Sequence, residues 1–288
     1  MNKSSDLDYY YNSYSNYYIH EEMLKDKIRT ESYRSAIEGN KEAFNNKIVL
    51  DVGCGSGVLS IFAARAGAKH VYAIEKADIA EYARHIIRQN GLSHKITVIQ
   101  SSVEEAILPV KKVDIIISEW MGYFLLYESM LDSVLFARDK WLAKDGLLLP
   151  DRAIINIAAI EDADYKESKI NFWDDIYGIN MSIMKNSSLS EPLIDFCEKK
   201  AINSTVCKIL DIDLYKVKVE DLEFASKYEL KFTRNDWVHG IVSWFDIFFD
   251  KVPNKVCFTT GPYNTNTHWK QVVFYTEKDF PVYKGLFF

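Results

Sequence analysis

The sequence predicts an α/β protein in which a doubly wound parallel sheet is followed by a β-rich second domain. Up to residue 150, short β-branched runs alternate with helical segments, which is the pattern of repeated βαβ units. After Pro150 the runs become short and alternating without long helices between them, which is typical of an antiparallel sandwich or barrel. We therefore expect N-terminal helices over 1–45, the parallel sheet over 46–150 and the β-rich domain over 151–288.

The composition is that of an acidic globular protein. Of the 288 residues, 48% are hydrophobic, and the net charge is -6. This charge argues against direct nucleic-acid binding and suits a basic polypeptide as partner. No apolar run is long enough for a signal peptide or a membrane span, so we expect an intracellular protein with no membrane partner. The cysteines lack C-x-x-C and zinc-ligand spacing, which predicts free buried thiols and no metal site; they are Cys54, Cys197, Cys207 and Cys257.

Two helices are predicted before residue 45. The first carries tyrosines at positions i, i+4, i+7 and i+8, namely Tyr10, Tyr14, Tyr17 and Tyr18. From spacing alone, these rings more often pack on the domain than form a binding site. The second helix begins at His20, and a spacing of three places Met23, Asp26 and Arg29 on one face. Such a cluster is more often a surface ion pair than a site.

Residues 48–57, I-V-L-D-V-G-C-G-S-G, are a strand that runs into a glycine-rich turn, and 58–66 continue as a helix. The spacing is D-x-G-x-G-x-G, formed by Asp51, Gly53, Gly55 and Gly57. The second strand, 71–74, ends at Glu75, where an acid accepts hydrogen bonds from ribose hydroxyls. Because the spacing lacks the pyrophosphate pattern, it favours a nucleoside without phosphates, such as S-adenosylmethionine, over a nicotinamide dinucleotide. The alternative is a structural turn that binds nothing.

The remaining elements follow the two patterns. In the first domain we predict helices over 80–89 and 133–141 and strands over 96–99, 113–117 and 146–149. In the second we predict strands over 154–160, 214–219, 227–232, 238–249, 256–259 and 272–275. An insertion over 165–199 carries many large apolar residues, so it either folds back on its own domain or is buried against another chain.

The loop over 118–130 carries the strongest signal for chemistry. It follows the central strand 113–117, so Glu119 lies at the sheet edge where open α/β sheets bind ligands. Glu128 lies nine positions further on, and the residues between are mostly apolar. Two carboxylates held in one dry pocket call for a cation, and the planar guanidinium of arginine matches them best. The alternative is that the two glutamates are unrelated, one in a loop and one on a helix surface. For two glutamates chosen at random, this alternative is the commoner one.

The sequence resembles the protein arginine N-methyltransferases, particularly the type I enzymes, over nearly its whole length. The matching motifs are I-H-E-E-M-L-K-D at 19–26, V-L-D-V-G-C-G-S-G at 49–57, S-E-W-M-G-Y with Y-E-S-M at 118–130, and T-H-W-K-Q at 267–271. The two-glutamate loop and the T-H-W turn are specific to this family, whereas the glycine turn alone indicates only a methyltransferase. The resemblance implies an S-adenosylmethionine-dependent, Rossmann-like domain and a β-barrel-like domain with a dimerisation arm over 165–199.

The resemblance also assigns roles. It implies that the glycine turn lines the cofactor, with its ribose on Glu75 and its adenine on Glu104. The methionine end lies on His20 and Arg29, with Arg29 on the carboxylate. Glu119 and Glu128 grip the substrate guanidinium, and His268 faces Asp26 and assists proton removal. The pocket walls are Tyr14, Met23, Met130 and His268, beside Trp269 of the same T-H-W turn.

Further expectations come from the family. They are mono- and asymmetric dimethylarginine products, histone tails and Arg-Gly-rich proteins as substrates, a homodimer, and a cytoplasmic and nuclear location. Tyr18 stands where the family usually has glycine, and the chain stops at Phe288, some tens of residues before the family's barrel normally ends. We therefore expect open strand edges and a weak dimer. The rivals are a small-molecule methyltransferase and an inactive scaffold subunit of the same family.

Overall fold

The computed structural model describes residues 17–288, which form two sheets. The first sheet is parallel, and its order is β3-β2-β1-β4-β5. Its strands are β1 (Ile48–Val52), β2 (His70–Glu75), β3 (Ile96–Gln100), β4 (Val113–Ile117) and β5 (Leu142–Leu149). The helices before and between them are α1 (Tyr17–Lys25), α2 (Lys27–Glu38), α3 (Lys41–Phe44), α4 (Val58–Arg65), α5 (Ile79–Gln89) and α6 (Met130–Trp141). The predicted doubly wound sheet is confirmed.

The strand order places the site. The order reverses between β1 and β4, and the carboxyl ends of β2, β1 and β4 lie side by side at that point. Open α/β sheets bind ligands at such a switch point. Both central strands are buried, as the β-branched run of β4 predicts, since a parallel strand covered on both faces is continuously apolar. Glu75, the glycine turn and Glu119 therefore emerge at one sheet edge.

The second domain is built on a mostly antiparallel sheet in the order β7-β11-β9-β6-β8, with β10 paired to β9. Its strands are β6 (Arg152–Ile160), β7 (Leu193–Asp195), β8 (Cys207–Asp213), β9 (Asp236–Phe249), β10 (Val256–Thr259) and β11 (Gln271–Val282). The predicted change to a β-rich domain after Pro150 is confirmed, and β9 and β10 match their predicted ranges closely.

Two predicted strands of this domain are wrong. The strand lies at 207–213, and the segment 214–219 that follows it turns away. Arg138 of α6 explains the turn, because its Nη1 donates to the carbonyl oxygens of Leu214 and Val217, both at 2.7 Å. The predicted strand 227–232 forms only bridges, at Phe232 and Lys231.

The last residues of the sequence pair with that segment. Leu230 and Phe288 exchange two backbone hydrogen bonds of 2.9 Å, and Phe232 accepts from Gly285 and donates to Leu286 at the same distance. The backbone at this end is therefore paired, contrary to the expected open edges there. Strands β7 and β8 stand at the two ends of the sheet order.

The N-terminal helices differ from the prediction. The stretch 20–29 is not one helix, because α1 ends at Lys25 and Asp26 caps the next helix by accepting from Arg29 N at 3.0 Å. Met23, Asp26 and Arg29 therefore do not lie on one face of a single helix. They lie where two helices meet, with Asp26 as the cap of the second. Tyr10 and Tyr14 lie outside the described residues. Within 17–288, no helix is long and apolar enough to cross a bilayer.

The predicted insertion is a mixture of short helices and loops. It contains α7 (Ala163–Lys169), a 3-10 helix (Asn171–Asp174) and α8 (Ile183–Ser190). We refer to residues 163–190 as the arm. Its predicted end at 199 is too late, because Leu193–Asp195 form β7 and pair with β11.

Candidate functional site

The loop after β4, residues 118–130, forms a tight hairpin that we call the glutamate hairpin. Gly122 and Leu125 make a bridge, and Phe124 and Leu125 have φ values of 51° and 64°. Glu128 packs so closely on Gly122 that a Cβ added there would lie 2.8 Å from Glu128 Cγ. The fold thus returns Glu128 to Gly122, three positions after Glu119 in the sequence.

Aromatic residues of the second domain hold this hairpin. Trp269 Nε1 donates to the carbonyl oxygen of Met121 at 2.8 Å. Trp269 is only 3% exposed and stacks on Phe258, and the ring of Phe124 packs edge-on against Phe274. Trp269 therefore supports the hairpin from within the core, instead of presenting a solvent-facing wall.

Glu119 is bound by an arginine of the N-terminal helices. Arg29 Nε donates to Glu119 Oε2 at 2.8 Å, and Nη2 lies 2.6 Å from the same oxygen. The side chains are 9% and 8% exposed. Arg29 Nη1 also donates to the carbonyl oxygen of Met23 at 3.2 Å, and Met121 N donates to Glu119 Oε1 at 3.2 Å. The residue predicted to hold the cofactor carboxylate thus contacts the residue predicted to hold the substrate guanidinium.

Asp26 joins the N-terminal helices to the T-H-W turn. Its Oδ2 accepts from His268 N and lies against His268 Nδ1, both at 2.8 Å, while Oδ1 caps α2. Burial raises the pKa of Asp26, but the hydrogen bonds from His268 and the Arg29 backbone outweigh it, so the pKa is lower than usual. The predicted contact between His268 and Asp26 is present.

The glycine turn has the left-handed backbone that its sequence requires. Gly53, Gly55 and Gly57 have φ values of 71°, 52° and 83°. An added Cβ would lie 2.5 Å from Met130 Cε at Gly53 and 3.1 Å from His20 Cε1 at Gly55. Two of the predicted ligand residues therefore adjoin the turn, and side chains at these glycines would fill the cradle. This fits a small nucleoside held against backbone.

Two acids stand behind the turn. Glu75 accepts backbone N–H bonds from Gly55 and Ala77, both at 2.8 Å, and burial nevertheless raises its pKa. Asp51 is fully buried and accepts from Ser60 Oγ at 2.6 Å, while its Oδ1 has no hydrogen-bond partner among the described residues. Burial raises the pKa of Asp51 to about 7. Both acids therefore favour a cationic or hydrogen-bond-donating ligand.

The other predicted residues are more dispersed. Glu104 is exposed and accepts from Ser133 Oγ at 2.7 Å, at the side of α6. Met23 and Met130 are partly exposed, beside Arg29 and Gly53 respectively. Tyr14 lies outside the described residues. Over 17–288 no group of three His, Cys, Asp or Glu side chains could hold a metal ion.

Sequence reasoning missed residues that hold the hairpin. Tyr33 of α2 is buried and donates its hydroxyl to the carbonyl oxygen of Ser118 at 2.8 Å. Ser118 Oγ donates to the carbonyl oxygen of Val52 at 2.7 Å. Burial, with the nearby charges of Glu22 and Glu128, raises the pKa of Tyr123, which places this ring beside the second glutamate. Ser118 and Tyr123 lie within the S-E-W-M-G-Y motif, whereas no motif in the sequence singles out Tyr33.

Comparisons with protein families cover both domains. The model of the arginine methyltransferase oligomerization subdomain matches residues 151–286. The model of ribosomal protein L11 methyltransferase (PrmA) matches residues 35–135, which include the glycine turn. The first match begins where the parallel sheet has ended, and the second lies within the domain that carries that sheet.

Curated relatives match nearly the whole chain. Protein arginine N-methyltransferase 1 of Schizosaccharomyces pombe is 59% identical over 278 residues, which cover 96% of this chain and 82% of the relative. The protein of the same name from Chlamydomonas reinhardtii is 53% identical over 270 residues, with coverages of 94% and 78%.

Solved structures agree with the fold. The Trypanosoma brucei PRMT1 enzyme-prozyme heterotetrameric complex with AdoHcy matches with a TM-score of 0.93 and 44% identity, over 96% of this chain and 87% of that chain. Protein arginine methyltransferase 10 of Arabidopsis thaliana, in an open conformation, matches with a TM-score of 0.84 and 33% identity, over 95% and 86%.

Proposed function

Because this chain belongs to the protein arginine N-methyltransferase family, we propose that it methylates arginine in histone tails and Arg-Gly-rich proteins. The proposed products are monomethylarginine and asymmetric dimethylarginine, as in type I enzymes. The enzyme class rests on relatives that are 59% and 53% identical over nearly the whole chain. The substrate class rests on the acidic balance and on the glutamate hairpin, because both suit a basic polypeptide.

S-adenosylmethionine is the cofactor, and when bound it supplies a methyl group activated by a sulfonium. The residues available to hold it are the glycine turn, His20, Glu75 and Glu104, together with Arg29 for the carboxylate of its methionine end. The closeness of His20 and Met130 to the glycines fits a nucleoside without phosphates. Glu75 is buried, and both its oxygens lie at the sheet edge where a ribose hydroxyl pair can donate.

The observation that supports the proposal is the hairpin, which packs Glu128 on Gly122, three positions after Glu119. The nitrogens of a protonated guanidinium are poor nucleophiles, because the positive charge is shared by all three of them. Two carboxylates can draw positive charge onto two of these nitrogens and leave lone-pair density on the third. In the buried setting of Glu119, such electrostatic effects and the fixed orientation give most of the rate.

His268 and Asp26 are placed to deal with the proton. The 2.8 Å contact between His268 Nδ1 and Asp26 Oδ2 fixes the orientation of the imidazole. With Nδ1 directed at the carboxylate, Nε2 is the ring nitrogen left to accept a proton. We assign to this pair the removal of the proton that the guanidinium loses around methyl transfer.

The β-rich domain matches an oligomerisation subdomain, and we propose that the arm makes a homodimer. Its apolar side chains are exposed, with Tyr177 at 100%, Ile183 at 76% and Ile179 at 56%. Large exposed apolar groups on one projection mark a protein interface. We also propose a cytoplasmic and nuclear location, where arginine-rich substrates are available.

The test is to incubate the protein with labelled S-adenosylmethionine and an Arg-Gly-rich peptide, and then to identify the methylated residues after hydrolysis. We expect label in monomethylarginine and asymmetric dimethylarginine. Symmetric dimethylarginine would contradict the type I assignment. Label on lysine would contradict the proposed arginine specificity. Label on no protein at all would contradict the proposed function and favour the inactive scaffold.

A further inference from the structure

The contact between Arg29 and Glu119 joins the cofactor site to the site of the substrate arginine, which have separate roles in the proposed mechanism. Glu119 Oε2 is occupied by Nε and Nη2 of Arg29, and Oε1 accepts from Met121 N. Within the described residues, the carboxylate that should receive a substrate guanidinium is thus already bound by a guanidinium of the chain itself.

Arg29 is suited to an exchange of partners. Its side chain is nearly buried, so its charge requires a carboxylate in either state. It is anchored at Nη1 by the carbonyl oxygen of Met23, and its backbone N is fixed by Asp26. The Asp26 cap therefore keeps the helix start in place when the guanidinium exchanges Glu119 for another carboxylate, a movement that also lengthens or breaks the Nη1 bond to Met23.

We propose that Arg29 couples the two binding sites, so that a cofactor carboxylate drawing on Arg29 releases Glu119 for the substrate arginine. This inference rests on the proposed function, since it assigns the cofactor carboxylate to Arg29 and the substrate to Glu119. Without that carboxylate, Arg29 competes with the substrate guanidinium for the same oxygen. Bound cofactor therefore raises the affinity for the peptide, and by linkage the peptide raises the affinity for the cofactor.

The coupling distinguishes the two glutamates. Glu119 contacts Arg29 directly, whereas Glu128 packs on Gly122. Loss of Glu128 should weaken peptide binding equally with and without cofactor. Loss of the guanidinium fork at position 29 should instead abolish the difference in peptide affinity between the cofactor-bound and cofactor-free protein.

The experiment measures the dissociation constant of an Arg-Gly-rich peptide by calorimetry, with three forms of the wild-type protein. These are the protein alone, the protein saturated with S-adenosylhomocysteine, and the protein saturated with 5′-methylthioadenosine, which lacks the amino-acid carboxylate. We expect S-adenosylhomocysteine to tighten peptide binding by about fivefold or more, within the usual range of coupling energies. We expect 5′-methylthioadenosine to leave peptide binding nearly unchanged.

Two variants sharpen the result. Arg29→Lys keeps a positive charge without the planar fork and should reduce the effect of S-adenosylhomocysteine to about twofold or less. Arg34→Lys, a change on the exposed face of the same helix, should keep the full effect.

The outcomes separate the two proposals. Equal peptide affinity in all three forms of the wild type would overturn the coupling while leaving the enzyme assignment intact. An equal effect of both nucleosides would also overturn it, because the carboxylate would then have no part. A protein that binds no arginine peptide even with S-adenosylhomocysteine present would instead contradict the proposed function.

Discussion

The glutamate hairpin and the arm are both apolar segments that leave a sheet, yet their side chains have opposite environments. In the hairpin, Trp120 is 2% exposed and Leu125 is fully buried. In the arm, Tyr177 is fully exposed and Ile183 is 76% exposed. The hairpin is covered by its own chain, through Trp269 and the ring pair of Phe124 with Phe274, whereas the arm tip has no such cover in the described part of the chain.

The arm is nevertheless fixed at its base. Lys166 of α7 is buried, ion-paired with Asp279 and bonded to the carbonyl oxygen of Thr276 at 2.6 Å. Tyr275 donates its hydroxyl to Asp162 at 2.6 Å. The comparison shows that apolar content alone does not tell whether a loop is buried within the chain or reserved for another molecule. What decides it is whether a second element of the same fold packs over the segment.

The largest effect is expected in the hairpin, from Glu128→Gln. Losing a charge-assisted partner of the guanidinium should reduce methyl transfer by about a hundredfold or more, since such contacts contribute several kcal/mol. S-adenosylmethionine binding should stay close to the wild-type value in calorimetry, because Glu128 contacts only the incoming arginine in this mechanism. A matching loss of cofactor affinity would show that the two roles are not separate.

A pair of glycine substitutions tests the difference in packing directly. Gly122→Ala would place its Cβ 2.8 Å from Glu128 Cγ and 3.0 Å from Glu128 N, so Glu128 must shift. We expect methyl transfer to fall by about tenfold or more and unfolding to require about 1–3 kcal/mol less.

Gly178→Ala in the arm is the matched control. Apart from its chain neighbours, no atom of residues 17–288 lies within 4 Å of its added Cβ, although its φ of +83° strains any side chain. It should cost about 1 kcal/mol in stability and leave the rate per folded molecule unchanged. Equal losses of activity in both variants would mean that the hairpin is not the tightly packed region.

Substitutions in the arm should change self-association and not methyl transfer or packing within the chain. Replacing Tyr177 and Ile183 together by Ser should weaken self-association by about tenfold or more, because it removes large exposed anchors. The stability of the monomer should change by less than about 0.5 kcal/mol, since neither side chain is packed in it. Light scattering after size exclusion measures the mass. Ile107→Ser, an 87% exposed isoleucine outside the arm, should leave the mass unaltered, and equal dissociation by this control would exclude the arm as interface.

The sequence predicted the first domain better than the second. The glycine turn, Glu75 and Glu119 follow directly from strand ends, and parallel strands bring such ends together without further information. The turn after β8 was missed because its backbone is held by Arg138, which lies in α6 of the other domain. The break of the N-terminal helix at Asp26 was missed because periodicity continues through a cap. The contact of Arg29 with Glu119 joins residues 90 positions apart and leaves no periodic signal.

The smallest expected effect concerns pH and the acid that ties the N-terminal helices to the T-H-W turn behind the hairpin. The pKa of Asp26 is lowered in the folded protein, so its carboxylate adds stability above the usual Asp range of about 4. That contribution is lost as the pH falls through the lowered pKa. Asp26→Asn should therefore reduce the free energy of unfolding by about 1 kcal/mol at neutral pH, and the gap to wild type should narrow on acidification. Urea unfolding over a pH series measures this gap, with the exposed Asp145→Asn as control. A gap that widens toward low pH would mean that the neutral acid, not the carboxylate, is the form that His268 stabilises.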